Sequence, residues 1–211
     1  MDYETEEQQV EALKAWWAEN GKAVMAGAGL GAAASGGWGW WSTHQTQQAV
    51  AASEEFSRTL AALQGTEPTR VQSLAERLRE DHDGTLYAAY GALAAARIAV
   101  QNGQLEEAAK ELEWVSKNAE QQDVKLIAAI RLARVLGASE QAERGLDQLP
   151  DSYPDAFTGL IEEARGDLLL ATGDQAGARA AYEKAKGSRH VVDPESLGMK
   201  LDELAVAGDE S

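Results

Sequence analysis

In the C-terminal part of the chain, apolar side chains return every third or fourth position, the spacing of one face of an α-helix. Leu105, Ala108, Leu112 and Val115 form one such stripe, and Glu106, Lys110, Glu113 and Lys117 fall on the face turned to water. The pattern then repeats. Gly103 precedes Ala108, Gly137 precedes Ala142 and Gly173 precedes Ala178, each by five residues. Four residues further on stand Leu112, Leu146 and Tyr182, followed by Val115, Leu149 and Ala185. The glycines lie 34 and 36 residues apart, the period of tetratricopeptide repeats, in which two antiparallel helices pack and the next pair stacks on them. Each position has a job. The glycine ends helix A, the alanine lets helix B cross helix A closely, and the larger residue one turn later fills the space beneath. The third repeat is the clearest, with Gly166, Leu169, Gly173, Ala178, Tyr182 and Ala185 all in place. Upstream, 44–63 and 68–80 read as another helix pair, with Pro68 at a first-turn position where its missing N–H costs nothing. Downstream, 194–206 suits a closing helix.

A different pattern occupies the N-terminal part. Residues 5–20 read as a short amphipathic helix with Val10, Leu13 and Trp17 on one stripe and a stop at Asn20-Gly21. No Asp, Glu, Lys or Arg then occurs between Lys22 and Glu54, and 23–41 reads AVMAGAGLGAAASGGWGWW. Nineteen helical residues reach roughly 28 Å, close to the thickness of a bilayer's hydrocarbon core. The apolar content is poor, with six glycines and six alanines, but tryptophans flank the segment at Trp16, Trp17, Trp38, Trp40 and Trp41, where aromatic rings sit at headgroup level. A buried soluble helix would pay for its glycines, a linker would not carry three tryptophans in four residues, and a signal peptide needs a basic leader. The expectation is therefore a single transmembrane helix over 23–42, a cytoplasmic segment over 1–22 and a helical-repeat domain over 43–211. Lys14 and Lys22 precede the span and Arg58 is the first basic residue after it, which places the N-terminus in the cytoplasm and exports the rest. Small residues at Gly27, Gly31 and Ser35 recur every fourth position and would let a neighbouring membrane helix approach closely.

Composition supports an all-α chain, because unbranched helix formers dominate and proline occurs four times in 211 residues. There is no cysteine, so neither disulfides nor thiolate metal sites arise. The net charge of −16 speaks against nucleic acid, which needs clustered Lys and Arg. His44, His82 and His190 are scattered, and no nucleophile, phosphate-loop or metal-ligand motif follows a strand. No enzyme activity, cofactor, metal or small-molecule substrate is expected. The one constellation of interest lies on helix A of successive repeats. Arg97 and Arg131 stand 34 residues apart, with Arg134 one turn on and Tyr90, Leu93 and Ile127 nearby. On the concave face they would hold an extended segment or a partner's acidic surface; equally, they would pair with carboxylates such as Asp167.

The order of these features resembles the YfgM family, the ancillary subunit of the SecYEG translocon in Gram-negative bacteria. The resemblance rests on Gln9-Val10-Glu11-Ala12-Leu13-Lys14 leading into Trp16-Trp17-Ala18-Glu19-Asn20-Gly21-Lys22-Ala23, then Gly37-Trp38, Trp41, His44 and Gln45. Further along come Tyr90-Gly91-Ala92-Leu93-Ala94, Leu105-Glu106-Glu107-Ala108-Ala109, Arg131-Leu132-Ala133-Arg134-Val135 and Gly173-Asp174-Gln175-Ala176-Gly177-Ala178-Arg179. The glycine-rich span and the shortened link around Gly137 depart from that pattern. The resemblance implies an inner-membrane protein with its C-terminal domain in the periplasm, close to SecYEG. It also implies association with a membrane-anchored periplasmic chaperone of the peptidyl-prolyl isomerase type in the hand-over of exported proteins, and it brings no catalytic residue. An assembly factor for another inner-membrane complex, or an enzyme with an unrecognised carboxylate site, are the competing classes.

Overall fold

Helix follows helix in the computed structural model, which describes residues 3–65, 67–191 and 193–209, with side chains from residue 9 to 205 within those ranges. The order is α1 (Tyr3–Gln64), α2 (Pro68–Asp81), α3 (Leu86–Gln101), α4 (Leu105–Asn118), α5 (Gln122–Ala138), α6 (Ala142–Leu146), a 3-10 turn (Asp155–Phe157), α7 (Thr158–Ala171), α8 (Gln175–Lys186) and α9 (Pro194–Asp209). No strand occurs among the described residues. By packing, the chain divides into two units, 1–48 and 49–211.

The first unit is the N-terminal part of α1. Its helix runs through Asn20-Gly21, where a stop is expected from the sequence. The Asn20 side chain does not cap an end there; its Nδ2 donates back along the helix to the Trp16 carbonyl at 3.0 Å, and the helix continues. Val24, Met25, Leu30, Trp38, Trp40 and Trp41 are all exposed. A Cβ added at Gly27, Gly29, Gly31, Gly36, Gly37 or Gly39 would meet nothing within 4 Å. Among the described residues no helix is long and apolar enough to cross a membrane, and 23–42 falls short of the expected span on that measure. The physical reason is that glycine and alanine supply helical length with little apolar area.

The second unit is built from helix pairs. The end of α1 packs on α2 and α3 through Ala62, Val71, Leu74, Ala94 and Ile98. The pair α3/α4 closes over Ala96, Ala99, Ala108, Leu112, Leu132 and Val135, so that α5 already contributes to its core. The pair α7/α8 closes on α9 through Ala178, Tyr182, Ala185, Leu197 and Leu204. This is stacking of neighbours, in which each pair is completed by the next. Gly103 and Gly173 turn the chain with φ of +73° and +89°, in the left-handed region that glycine enters freely. Asp174 then caps α8 by accepting from the Gly177 N–H at 2.9 Å.

The middle pair departs from the expected register. Gly137 lies inside α5, and the residue with positive φ is Glu140, at +60°. Counting from these turn residues, the small position is Ala108, Gly145 and Ala178, and the large one is Leu112, Leu149 and Tyr182, with Leu149 standing just past the end of α6. Ala142 and Leu146, placed there by the sequence, are three residues too early. Gly145 is buried, and a Cβ on it would lie 2.8 Å from the Ala133 carbonyl oxygen and 2.9 Å from Leu168. Gly137 has a packing role of its own, since a Cβ there would come within 2.7 Å of Leu168. The seventh residue before each turn, Ala96, Ala133 or Gly166, is small as well, and a Cβ at Gly166 would run into the Tyr182 ring.

Candidate functional site

Helices α3 and α5 are the first members of neighbouring pairs, and their outward faces share one concavity of ≈ 490 Å3. Its apolar floor includes Leu93, Ala96, Val100, Leu112 and Val135, and Arg97, Arg131 and Arg134 stand around it. Helical spacing explains the gathering. Leu93, Arg97 and Val100 lie three or four residues apart on α3, and Arg131, Arg134 and Val135 do the same on α5. Four of the six groove residues expected from the sequence are thus brought together: Leu93, Arg97, Arg131 and Arg134. Tyr90 and Ile127 are not in the lining. Tyr90 is tilted against Phe56 of α1 with ring centroids 5.9 Å apart, and Ile127 is half-buried on α5.

The turn residues also correct which arginines correspond. Arg97 stands six before Gly103, and the residue six before Glu140 is Arg134, not Arg131. Six before Gly173 is Asp167, so the series of cations ends at the third pair. Among the described residues no ion pair or hydrogen bond engages Arg97 or Arg131. Arg134 reaches Glu163 at 3.8 Å, a loose contact on a side chain that remains 43% exposed. Asp167 is not their partner. It accepts from Tyr182 Oη at 2.8 Å and from Lys200 Nζ at 2.7 Å. Lys200 also donates to Glu163 at 2.9 Å. Burial alone would lower the Lys200 pKa, but the hydrogen bonds to Asp167 and Glu163 outweigh it and hold the ammonium above its ordinary range. Burial, reinforced by Asp167, pushes the Tyr182 phenol up. Lys200 therefore engages two carboxylates of α7, Glu163 and Asp167, and joins α9 to it, leaving Arg97 and Arg131 without a carboxylate among the described residues.

A second polar cluster, missed in the sequence, lies beneath the middle pair. Glu162 on α7 is 3% exposed and accepts from Tyr153 Oη and from Lys184 Nζ at 2.9 Å, with Arg165 at 3.6 Å. Burial would raise its pKa; the hydrogen bonds from Tyr153 and Lys184 and the nearby cations hold it below the usual carboxylate value. Its members come from the loop after α6 and from α7 and α8, a convergence that no local pattern signals. All its polar contacts are internal, so it ties helices together.

Helix pairs stacked beside a concave arginine-bearing face define a tetratricopeptide-like domain. The tetratricopeptide repeat-like domain family matches residues 14–206. The ancillary SecYEG translocon subunit of Escherichia coli (strain K12) is 34% identical, over 97% of this chain and 98% of its own length. Proteins of the same description from Haemophilus influenzae and Neisseria gonorrhoeae are 28% and 25% identical, each over 94% of this chain and 97% of their own. The chain belongs to this family of tetratricopeptide-like ancillary SecYEG translocon subunits, the YfgM family. No solved structure matches the chain.

Proposed function

We propose that this protein is a non-catalytic adaptor of the SecYEG translocon, held at the inner membrane by 23–42 with its repeat domain in the periplasm. The observation that carries the reading is likeness along nearly the whole chain to proteins described as ancillary SecYEG translocon subunits. The N-terminal segment would then be the anchor. It is continuously helical, carries no charge from Ala23 to Ser53, and presents exposed tryptophans at both ends. Its low apolarity makes lipid alone a weak host, and this is where the open faces of Gly27, Gly31 and Ser35 enter. Ser35 satisfies its hydroxyl on the Gly31 carbonyl at 2.8 Å, so the stripe offers close backbone approach to a partner helix without an unpaired polar group. The basic residues Lys14 and Lys22 favour a cytoplasmic N-terminus.

In this reading membrane lipid and the translocon hold the chain, and the repeat domain recruits a membrane-anchored periplasmic chaperone of the peptidyl-prolyl isomerase type to hand over exported proteins. The test is fractionation of inner membranes with co-purification in mild detergent. The chain should resist alkaline carbonate, yield its domain to external protease in spheroplasts, and bring down the translocon and the chaperone. Full release by carbonate would remove the anchor; a protected domain would reverse the orientation; purification without the translocon would end the reading.

A further inference from the structure

We infer that the cavity beside α3 and α5 binds a single-chain anionic amphiphile, a fatty acid with its carboxylate on the arginines and its alkyl chain on the apolar floor. The site uses only residues of the repeat domain, so it stands or falls separately from the adaptor reading. Its floor is the flank of a core. Ala96, Leu112 and Val135 are at most 8% exposed and belong to the cluster that closes α3, α4 and α5, so the ≈ 490 Å3 space continues that core outward. Leu93 and Val100 widen the apolar surface, and Val100 is left 44% exposed. A ligand that removes this surface from water gains free energy in proportion to the area covered.

Charge selects the head group. The segment 43–211 carries a net charge of −12, yet no Asp or Glu lines this cavity, and three guanidinium groups do. Arg97 and Arg131 have no ion-pair partner among the described residues. Arg134 holds Glu163 only at 3.8 Å, and Glu163 is itself engaged at 2.9 Å by Lys200. A guanidinium meets a carboxylate with two parallel N–H donors, so one carboxylate at this rim is fully paired.

The rest of the lining decides what the head group is attached to. A peptide brings an N–H and a C=O with every residue, and each needs a partner once water is excluded. Besides the arginines, the only polar side chain of the lining is Gln101. Guanidinium groups donate and cannot accept, so the N–H groups of a peptide would find one side-chain acceptor, the Gln101 carboxamide oxygen. An alkyl chain makes no such demand. The volume of ≈ 490 Å3 lies in the lower half of the roughly 300–1,000 Å3 of sites that enclose one small molecule, which suits one alkyl chain better than two.

The probe is dodecanoic acid bearing a diazirine on its chain. It is equilibrated with the full-length chain and phosphatidylcholine vesicles, irradiated, and its adducts are mapped by mass spectrometry of the digested protein. Adducts should fall on 93–101 and 131–135 and be displaced by unlabelled dodecanoate. Dodecanol with the same diazirine should label these residues about tenfold less or weaker still, the loss of a charge-assisted hydrogen bond. Arg97→Gln with Arg131→Gln and Arg134→Gln should lose labelling to the same extent with an unchanged circular dichroism melt. Should that variant not fold, Val100→Glu sets a carboxylate beside the rim at a half-exposed position and should give the same loss. Adducts confined to 23–42 or spread evenly over the chain, equal labelling by the neutral analogue, or equal labelling of the variants would overturn the site. So would loss of this labelling in phosphatidylglycerol vesicles, which would make a bilayer phospholipid the occupant. Displacement by an acidic peptide and not by dodecanoate would overturn it in favour of a protein ligand. Co-purification of the translocon with the unmodified chain and the triple variant, measured alongside, reads the adaptor proposal independently.

Discussion

Replacing Gly145 by alanine tests the register of the middle repeat. In an open helical position this change stabilises, because alanine is favoured over glycine by about 1 kcal/mol. At Gly145 the new methyl would lie 2.8 Å from the Ala133 carbonyl oxygen, a backbone atom that cannot swing aside, and 2.9 Å from Leu168. Overpacking of this kind costs about 1–3 kcal/mol and cancels or exceeds the helix gain. Gly198 on α9 is the control, since a Cβ there meets nothing within 4 Å. Gly198→Ala should therefore raise the melting midpoint and Gly145→Ala should lower it. At roughly 2–4 °C per kcal/mol for a domain of this size, the two variants should separate by several degrees. Thermal melts of the full chain in detergent, followed at 222 nm, read the difference. A Gly145→Ala protein stabilised as much as Gly198→Ala would refute the assignment of Gly145 as the close-crossing position.

Glu140→Gly should stabilise by about 0.5–1 kcal/mol in urea unfolding, because Glu140 holds the left-handed turn that glycine fills at Gly103 and Gly173; destabilisation would count against that turn. Ala178→Leu should cost about 1–3 kcal/mol by overpacking a fully buried site, and an unchanged melt would reject the register of the third repeat. The Glu162 carboxyl has its folded pKa held below the ordinary 4.5, so it contributes stability that is present above that value and lost as pH falls through and below it. Glu162→Gln should lower the urea midpoint at pH 7 and flatten its decline below about pH 4.5; curves that run parallel to the unmodified protein would contradict the network.

The first and third pairs were legible because their turn residues are glycines and their crossing residues alanines, so spacing and chemistry coincide at Gly103/Ala108 and Gly173/Ala178. The middle pair was not, because its left-handed residue is Glu140, and Gly137 happens to lie five before Ala142. Gly145, which does the crossing, looks in one-letter code like a helix breaker. The groove survived that error for a geometric reason. Arg131 and Arg134 are one turn apart on the same face of α5, so choosing either as the mate of Arg97 points to the same concavity. The Glu162 cluster depends on residues up to 31 positions apart meeting in space, as Lys184 and Tyr153 do, and only the fold reveals it. At the N-terminus, Asn20-Gly21 has the composition of a helix stop, but α1 runs on through it because no capping geometry forms.

The central claim is that the small-residue segment holds this chain against the translocon. A photoreactive side chain placed at Leu30, an exposed neighbour of the Gly27/Gly31 stripe, measures it in living cells. Crosslinking to a translocon subunit, reduced when Gly27 and Gly31 are both replaced by leucine while the chain stays in the membrane fraction, is the predicted result. A chain that remains in the membrane but crosslinks only to lipid would contradict the account.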